Sequence, residues 1–336
     1  MDNEFTPNVT DNTLKQARHH FSKLGLMFFF GTLIINIVQI IASTIVGAVK
    51  PDLLSNTASS LLVTMIPMYV IGIPLTALLI RTVPATQIEK KKMSVGQWII
   101  AFLICYGGLY LSNYLGIILT QIIGSIKGSA VSNTFVEVAT SSNALVNFFI
   151  MVICAPIAEE LIYRKLLIDR AVKYGEATAV LLSGLMFGLF HGNLNQFIYA
   201  FVLGICFGFV YVKTGNIRYT ILLHMLVNFP GTTLGVLIFS WLGDDFMNAL
   251  NNSQDIMALA ASNMPKMIIY LLYAFIMFAI ALAGIILFVV NVRKIHFQSG
   301  EVTIPKGKRF STTILNIGMG LYFLFRIVII ILQLFL

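Results

Sequence analysis

Three groups of side chains in a very apolar chain of 336 residues have types and spacings that could do chemistry together. They are Glu159 and Glu160 in the run Cys154-Ala-Pro-Ile-Ala-Glu-Glu-Leu-Ile-Tyr-Arg164, His191 closing Phe187-Gly-Leu-Phe-His, and His224 with Asn228 in His-Met-Leu-Val-Asn. An ionisable side chain inside an apolar segment costs on the order of a few kcal/mol, so each is a functional hypothesis in itself. Adjacent helical residues point about 100° apart, whereas residues four apart share a face. Glu160 can therefore pair with Arg164 and neutralise it, while Glu159 faces elsewhere and stays free to meet a substrate or a water. His224 and Asn228 are also four apart and offer a ring nitrogen and an amide to one point, which suits an oxyanion.

Hydrolysis of a peptide bond in a dry site needs an activated water and preorganised donors for the negative charge that develops. The assignment that follows makes Glu159 the general base on water. His191 is its partner, holding that water and later moving a proton, and His224 with Asn228 are the oxyanion donors. Glu160 and Arg164 support the helix end. A divalent metal such as zinc is an alternative, because Glu159, His191 and His224 form a ligand set of the right types. The usual local sign of such a site, HExxH on one helix, is absent, and the reading preferred here requires no cofactor.

These residues need elements to position them, and composition says which. Apolar residues make up 58% of the chain and charged ones 11%, against about 45–50% and about 25% in soluble proteins; mean hydropathy is +0.88. The expected fold is all-α, a polytopic transmembrane bundle of about nine spans. A spanning helix needs about 20 apolar residues, and the runs 24–49, 58–81, 97–124, 144–169, 176–192, 195–213, 217–241, 267–291 and 313–336 qualify or nearly do. The organisation read from them is a cytoplasmic tail over 1–23, N-terminal membrane helices over 24–124, a catalytic core over 144–230 and C-terminal membrane helices over 267–336. The remaining loops, 82–96, 125–143, 242–266 and 292–312, read as polar connectors.

Lys and Arg collect on alternate loops, such as Lys90 to Lys92, Lys165 with Arg170 and Lys173, and Lys213 with Arg218. The opposite loops carry Lys50, Lys127 and Lys266 among Asp52, Glu137, Asp244, Asp245 and Asp255. Positive charge is retained on the cytoplasmic side, so the N terminus is expected inside and the C terminus outside. The net charge of +8 is thereby explained by topology, and no basic patch with interleaved aromatics points to nucleic acid. Cys105, Cys154 and Cys206 lack metal-ligand spacing and read as packing residues. His19 and His20 read as solvated tail residues. Asn36, Gln39, Ser112 and Asn113 read as interhelical hydrogen-bonding groups.

Three features of the pattern are awkward. Residues 176–213 divide at Gly192-Asn-Leu-Asn195 into two spans at the short end of the range, so a tilted or re-entrant arrangement is expected there. Gly184 with Gly188, and Gly204 with Gly208, have the small-xxx-small spacing that lets helices approach closely in lipid. Counting from these span ends at about 1.5 Å per residue also sets Glu159 and His224 near the cytoplasmic side and His191 near the other. Arg326 lies midway along the last run and must find a carbonyl, an acid or water.

The three motifs, EExxxR, FxxxH and HxxxN, resemble those of the CPBP group of CAAX proteases and bacteriocin-processing proteins, also called Abi, which includes the eukaryotic CAAX prenyl protease type 2. Glu159, Glu160, Arg164, Phe187, His191, His224 and Asn228 match in the family's order over roughly residues 144–230. The resemblance implies an intramembrane endopeptidase, a type often labelled metalloprotease although a metal-free glutamate mechanism has been argued for the prenyl-processing branch. It implies a peptide or protein substrate, prenylated or membrane-embedded. The multi-pass apolar composition and the absence of organelle-targeting segments fit a bacterial cytoplasmic membrane, which is the expected location. A non-catalytic bacteriocin self-immunity or membrane scaffold role is the alternative. A transporter fits less well, because no internal repeat is evident.

Overall fold

A computed structural model describes residues 11–252 and 256–335, and every regular element among them is helical. The membrane elements are α1 (Asp11–Val49), α2 (Thr57–Arg81), α3 (Val95–Lys127), α4 (Ala144–Tyr174), α5 (Glu176–Phe190), α6 (Leu194–Thr214), α7 (Ile217–Leu242), α8 (Met264–Lys294) and α9 (Ile317–Gln333). Seven of them are long and apolar enough to cross a membrane; α9 and Lys306–Thr313, joined across a 69° bend, form a bent pair of the kind made by a broken span or a re-entrant loop, and make an eighth if counted as one span. The ninth expected crossing is α5, an apolar helix of only 15 residues, about 22 Å long. The nine runs in the sequence thus each become a helical element, and the shortness anticipated after residue 176 is carried by α5. Asp255 and the first ten residues of the tail lie outside the described residues.

Several boundaries move. Helix α1 begins at Asp11, well inside the expected tail, and its first turns are packed: Ala17, His20 and Phe21 are buried. His20 is therefore not a solvated residue. Its Nε2 lies 2.7 Å from the Arg170 carbonyl, and its ring packs with Phe21 and Tyr174. Ser112 is also corrected, since its hydroxyl donates to Gly108 O one turn back in α3 and not across to another helix. The connectors 125–143 and 242–266 contain the short helices Thr134–Ser141, Asp244–Asn252 and Ile256–Ser262.

The core that matters for function is α4 against α5 and α5 against α6. Helices α5 and α6 meet along the glycine stripe: a Cβ on Gly204 would lie 2.7 Å from Gly184 Cα, so only glycine permits this separation. At the turn between α4 and α5, Gly175 adopts φ +110°, a conformation that L side chains rarely take. The turn makes the two helices antiparallel, with Glu159 sixteen residues before Gly175 and His191 sixteen after it. That symmetry removes the depth conflict in the sequence reading. Helix α4 continues to Tyr174 instead of ending near residue 169, so Glu159 sits deep in the span and close to the level of His191.

Candidate active site

Helix α4 carries both glutamates on a six-residue α-helical stretch, Ala155–Glu160, between two π-helical ones, Phe148–Cys154 and Leu161–Ile168. π turns recur at functional sites because the wider register re-aims side chains and frees backbone groups. The physical reason for the first π stretch is Pro156. Ala155 N–H bonds to Ile150 O, five residues back, and the next donor in that register would be the N–H that Pro156 lacks. Met151 O is thus left without its π-helical donor, and the Asn228 side-chain amide supplies one, with Nδ2 at 2.9 Å. The same π winding continues beyond Glu160 and turns Arg164 inward.

Glu160 and Arg164 form the expected pair, Nε to Oε2 at 3.0 Å, with both side chains wholly buried. Arg164 Nη1 donates to Ser183 Oγ at 2.8 Å, and that hydroxyl donates to Tyr163 O. The guanidinium lies 4.8 Å from the Phe187 ring centre and 5.7 Å from that of Phe207. The ring faces partly compensate Nη2, which has no hydrogen-bond partner among the described residues. On its other side Glu160 faces His224, whose Nδ1 is 3.1 Å from Glu160 Oε1. Thr220, one turn before His224, is buried and donates its hydroxyl to Ile217 O.

The His224 ring spans the two acids. Its Nε2 is 3.6 Å from Glu159 Oε2, and Glu159 keeps 17% side-chain exposure where Glu160 keeps none. The result is one row, Arg164–Glu160–His224–Glu159, closed at the arginine end and accessible at Glu159. A cavity of about 20 Å³ adjoins Glu159, lined by Thr32, Thr76, Tyr163 and Phe190 among others, with room for one water molecule.

His191 caps α5 and follows Phe190, which lines this cavity. Its Nδ1 lies 3.0 Å from Phe187 O. A carbonyl only accepts, so Nδ1 carries the proton and Nε2 offers a lone pair. The Phe187 ring sets the spacing, its centre 4.9 Å from that of His191 and 5.7 Å from that of His224, edge-on to both. Helix α9 supports the same end of α5. Arg326, buried in the apolar α9, donates from Nε to Leu189 O at 3.0 Å and packs on Phe190 at 5.2 Å. A Cβ on Gly192, at φ +70°, would come 3.2 Å from Arg326 Nη2.

All the expected site residues therefore fall in one region, with different partners from those foreseen in two cases. His224 contacts the glutamates directly, and Asn228 spends one amide donor on Met151 O. Ser183, Thr220, Arg326 and the Met151 carbonyl were not foreseen as parts of the site. The sequence signals that point to these are Pro156 inside an apolar run, which marks a broken backbone register at Met151, and Arg326 itself, a cation with no partner in its own segment. As to a metal, no group of three His, Cys, Asp or Glu side chains among the described residues is arranged to hold one. His191 and His224 each engage Nδ1 within the protein, on Phe187 O and Glu160 Oε1, which leaves Nε2 of both rings for another partner.

Residues 141–230 match the family described as type II CAAX prenyl endopeptidase Rce1-like. The match supports the CAAX-protease family read from the three motifs, and with it a multi-pass membrane protease acting on a peptide or protein. No curated protein and no solved structure matches the chain.

Proposed function

We propose that this chain, whose residues 141–230 carry the CAAX-protease family match, is an intramembrane endopeptidase in which Glu159 activates water. The observation that supports this most is the His224 ring lying between an accessible Glu159 and a sequestered Glu160. Two neighbouring carboxylates with such different surroundings have different work to do.

In this reading Glu159 removes a proton from a water that also donates to Nε2 of His191. The hydroxide adds to the scissile carbonyl carbon. With both ring nitrogens protonated, His224 donates Nδ1–H to Glu160 and Nε2–H to the developing oxyanion. The row Arg164, Glu160, His224, Glu159 then alternates in sign and sums to zero, as a buried cluster requires. The Asn228 amide hydrogen not used by Met151 O adds a second donor, and removing one such donor costs about 3 kcal/mol of transition-state stabilisation. The proton taken by Glu159 passes to the leaving amine as the C–N bond breaks, returning the site to its starting state. Residues Glu159, His191, His224 and Asn228 keep the roles expected of them, and Glu160 and Phe187 become positioning residues for His224. No step is routed through a metal.

The substrate in this reading is a membrane-presented peptide, of the prenylated C-terminal type named in the family description, and the lysine-rich loops face the cytoplasm. Protein termini in membranes from cells making the wild type or Glu159→Gln at equal folded levels provide the test. New termini that need Glu159 support the protease and locate its cleavage site. Identical termini in both would sink the reading and favour a binding or immunity role. Cleavage that a chelator abolishes and zinc restores would overturn the metal-free mechanism alone.

A further inference from the structure

Away from the glutamates, a second cavity of about 640 Å³ opens between α3, α6 and α8, within the size range of small-molecule sites. Neither Glu159, His191 nor His224 lines it. Its walls are apolar, built from Ile100, Ile104, Ile205, Phe209 and Phe288, with Cys105 and Cys206 also in its lining. Ile100 and Phe288 are exposed at its edge, on helices read as membrane-spanning, so a bilayer hydrocarbon chain can enter from the side.

Its mouth is basic. Lys92 precedes α3, Lys213 ends α6 and Lys294 ends α8, and all three line the cavity. Lys213 is already neutralised by Glu176 at 2.5 Å. Lys92 and Lys294 are exposed and have no ion pair with a described carboxylate, and the only partner shown for the Lys294 ammonium is the neutral Asn291 Oδ1 at 3.1 Å. Gln97, Asn291 and Thr214 add neutral polar groups at the same level.

We infer that this groove holds an anionic glycerophospholipid, with an acyl chain along α3, α6 and α8 and its phosphate between Lys92 and Lys294. A free anion has no use for the apolar walls, and an uncharged chain has none for the unpaired ammonium groups. Basic pockets between transmembrane helices bind anionic headgroups for this reason. The site is independent of the reaction at Glu159.

The test uses the full chain in phosphatidylcholine bilayers containing a minor fraction of photoactivatable phosphatidylglycerol, with mapping of the labelled peptides. Labelling should fall within 97–105 and 205–214. It should drop on the order of tenfold in Lys92→Gln/Lys294→Gln, whose substitutions are exposed and leave the fold intact. Ile104→Trp, which fills the groove, should abolish it. A phosphatidylcholine probe labelling these peptides as strongly, or labelling indifferent to the lysines, would overturn the inference. So would a farnesylated peptide that displaces the probe where excess phosphatidylglycerol does not, since the groove would then belong to a lipidated peptide.

Discussion

Asn228 on α7 donates its side-chain amide to the backbone carbonyl of Met151 on α4, an acceptor whose donor in the local π register is missing because residue 156 is proline. A buried acceptor left unsatisfied costs about 1–3 kcal/mol, so this one bond locks α7, with His224 four residues earlier, onto the helix that carries the glutamates. Asn228→Ala should lower stability by roughly that amount and reduce cleavage. In a Pro156→Ala background, which returns an N–H to the chain, the stability cost of Asn228→Ala should shrink while the activity loss remains. A double-mutant cycle on thermal unfolding reads this coupling, and strictly additive costs would refute the pairing.

The two adjacent glutamates should separate cleanly on substitution. Glu159→Gln retains a polar side chain of the same shape at the accessible end of the row, and should abolish cleavage while leaving the melting temperature near the wild-type value. Glu160→Leu leaves Arg164 charged, wholly buried and without its carboxylate; breaking a buried pair from one side costs about 3–5 kcal/mol. Loss of the folded protein with Glu159→Gln, or a stable and active Glu160→Leu, would reverse the roles given to them.

Much of this was legible in the sequence because lipid leaves few options for a long apolar run, so all nine runs become helices. The Glu160–Arg164 pair followed from i,i+4 spacing alone. What the sequence did not disclose depends on register. The π turns around residues 155–160 change which faces of α4 point inward, and a periodicity of 3.6 cannot anticipate them. The level of His191 against Glu159 required knowing that α4 runs on to Tyr174. The buried His20 shows the same limit, since a polar residue ahead of a span reads as solvated unless the partner, here the Arg170 carbonyl, is known.

The glycine contact between α5 and α6 sets the position of Phe187, and through it both histidines. A methyl group at residue 204 would meet the Gly184 backbone at 2.7 Å and the Phe187 ring at 3.1 Å. Backbone cannot yield as a flexible side chain does, so Gly204→Ala should cost about 1–3 kcal/mol and depress cleavage further than the stability loss explains. Gly96, whose added Cβ would meet nothing within 4 Å, serves as the control, and Gly96→Ala should leave both unchanged. Equal behaviour of the two variants in melting and cleavage assays would remove the argument from helix separation.

Arg326 lies outside the matched segment 141–230, yet it holds the end of the helix that carries His191. The last carbonyls of a helix have no partner within it, and a cation there also meets the negative end of the helix dipole, worth about 0.3–2 kcal/mol. At Leu189 O, which already accepts from Gly192 N–H, Arg326 Nε adds a charged donor at the negative end of the dipole, and its stacking on Phe190 fixes the approach. Arg326→Met keeps much of the apolar stem but leaves Leu189 O with the Gly192 N–H alone, so the turn before His191 should loosen. The expected outcome is a modest loss of thermal stability and a fall in kcat of roughly a hundredfold, the scale of a 1 Å displacement of a catalytic group, with KM nearly unchanged. Arg326→Lys should restore stability more than kcat, because a single ammonium cannot bond Leu189 O and stack on Phe190 in the same geometry. An increase in KM at unchanged kcat would instead make Arg326 a substrate-binding residue and withdraw the positioning role.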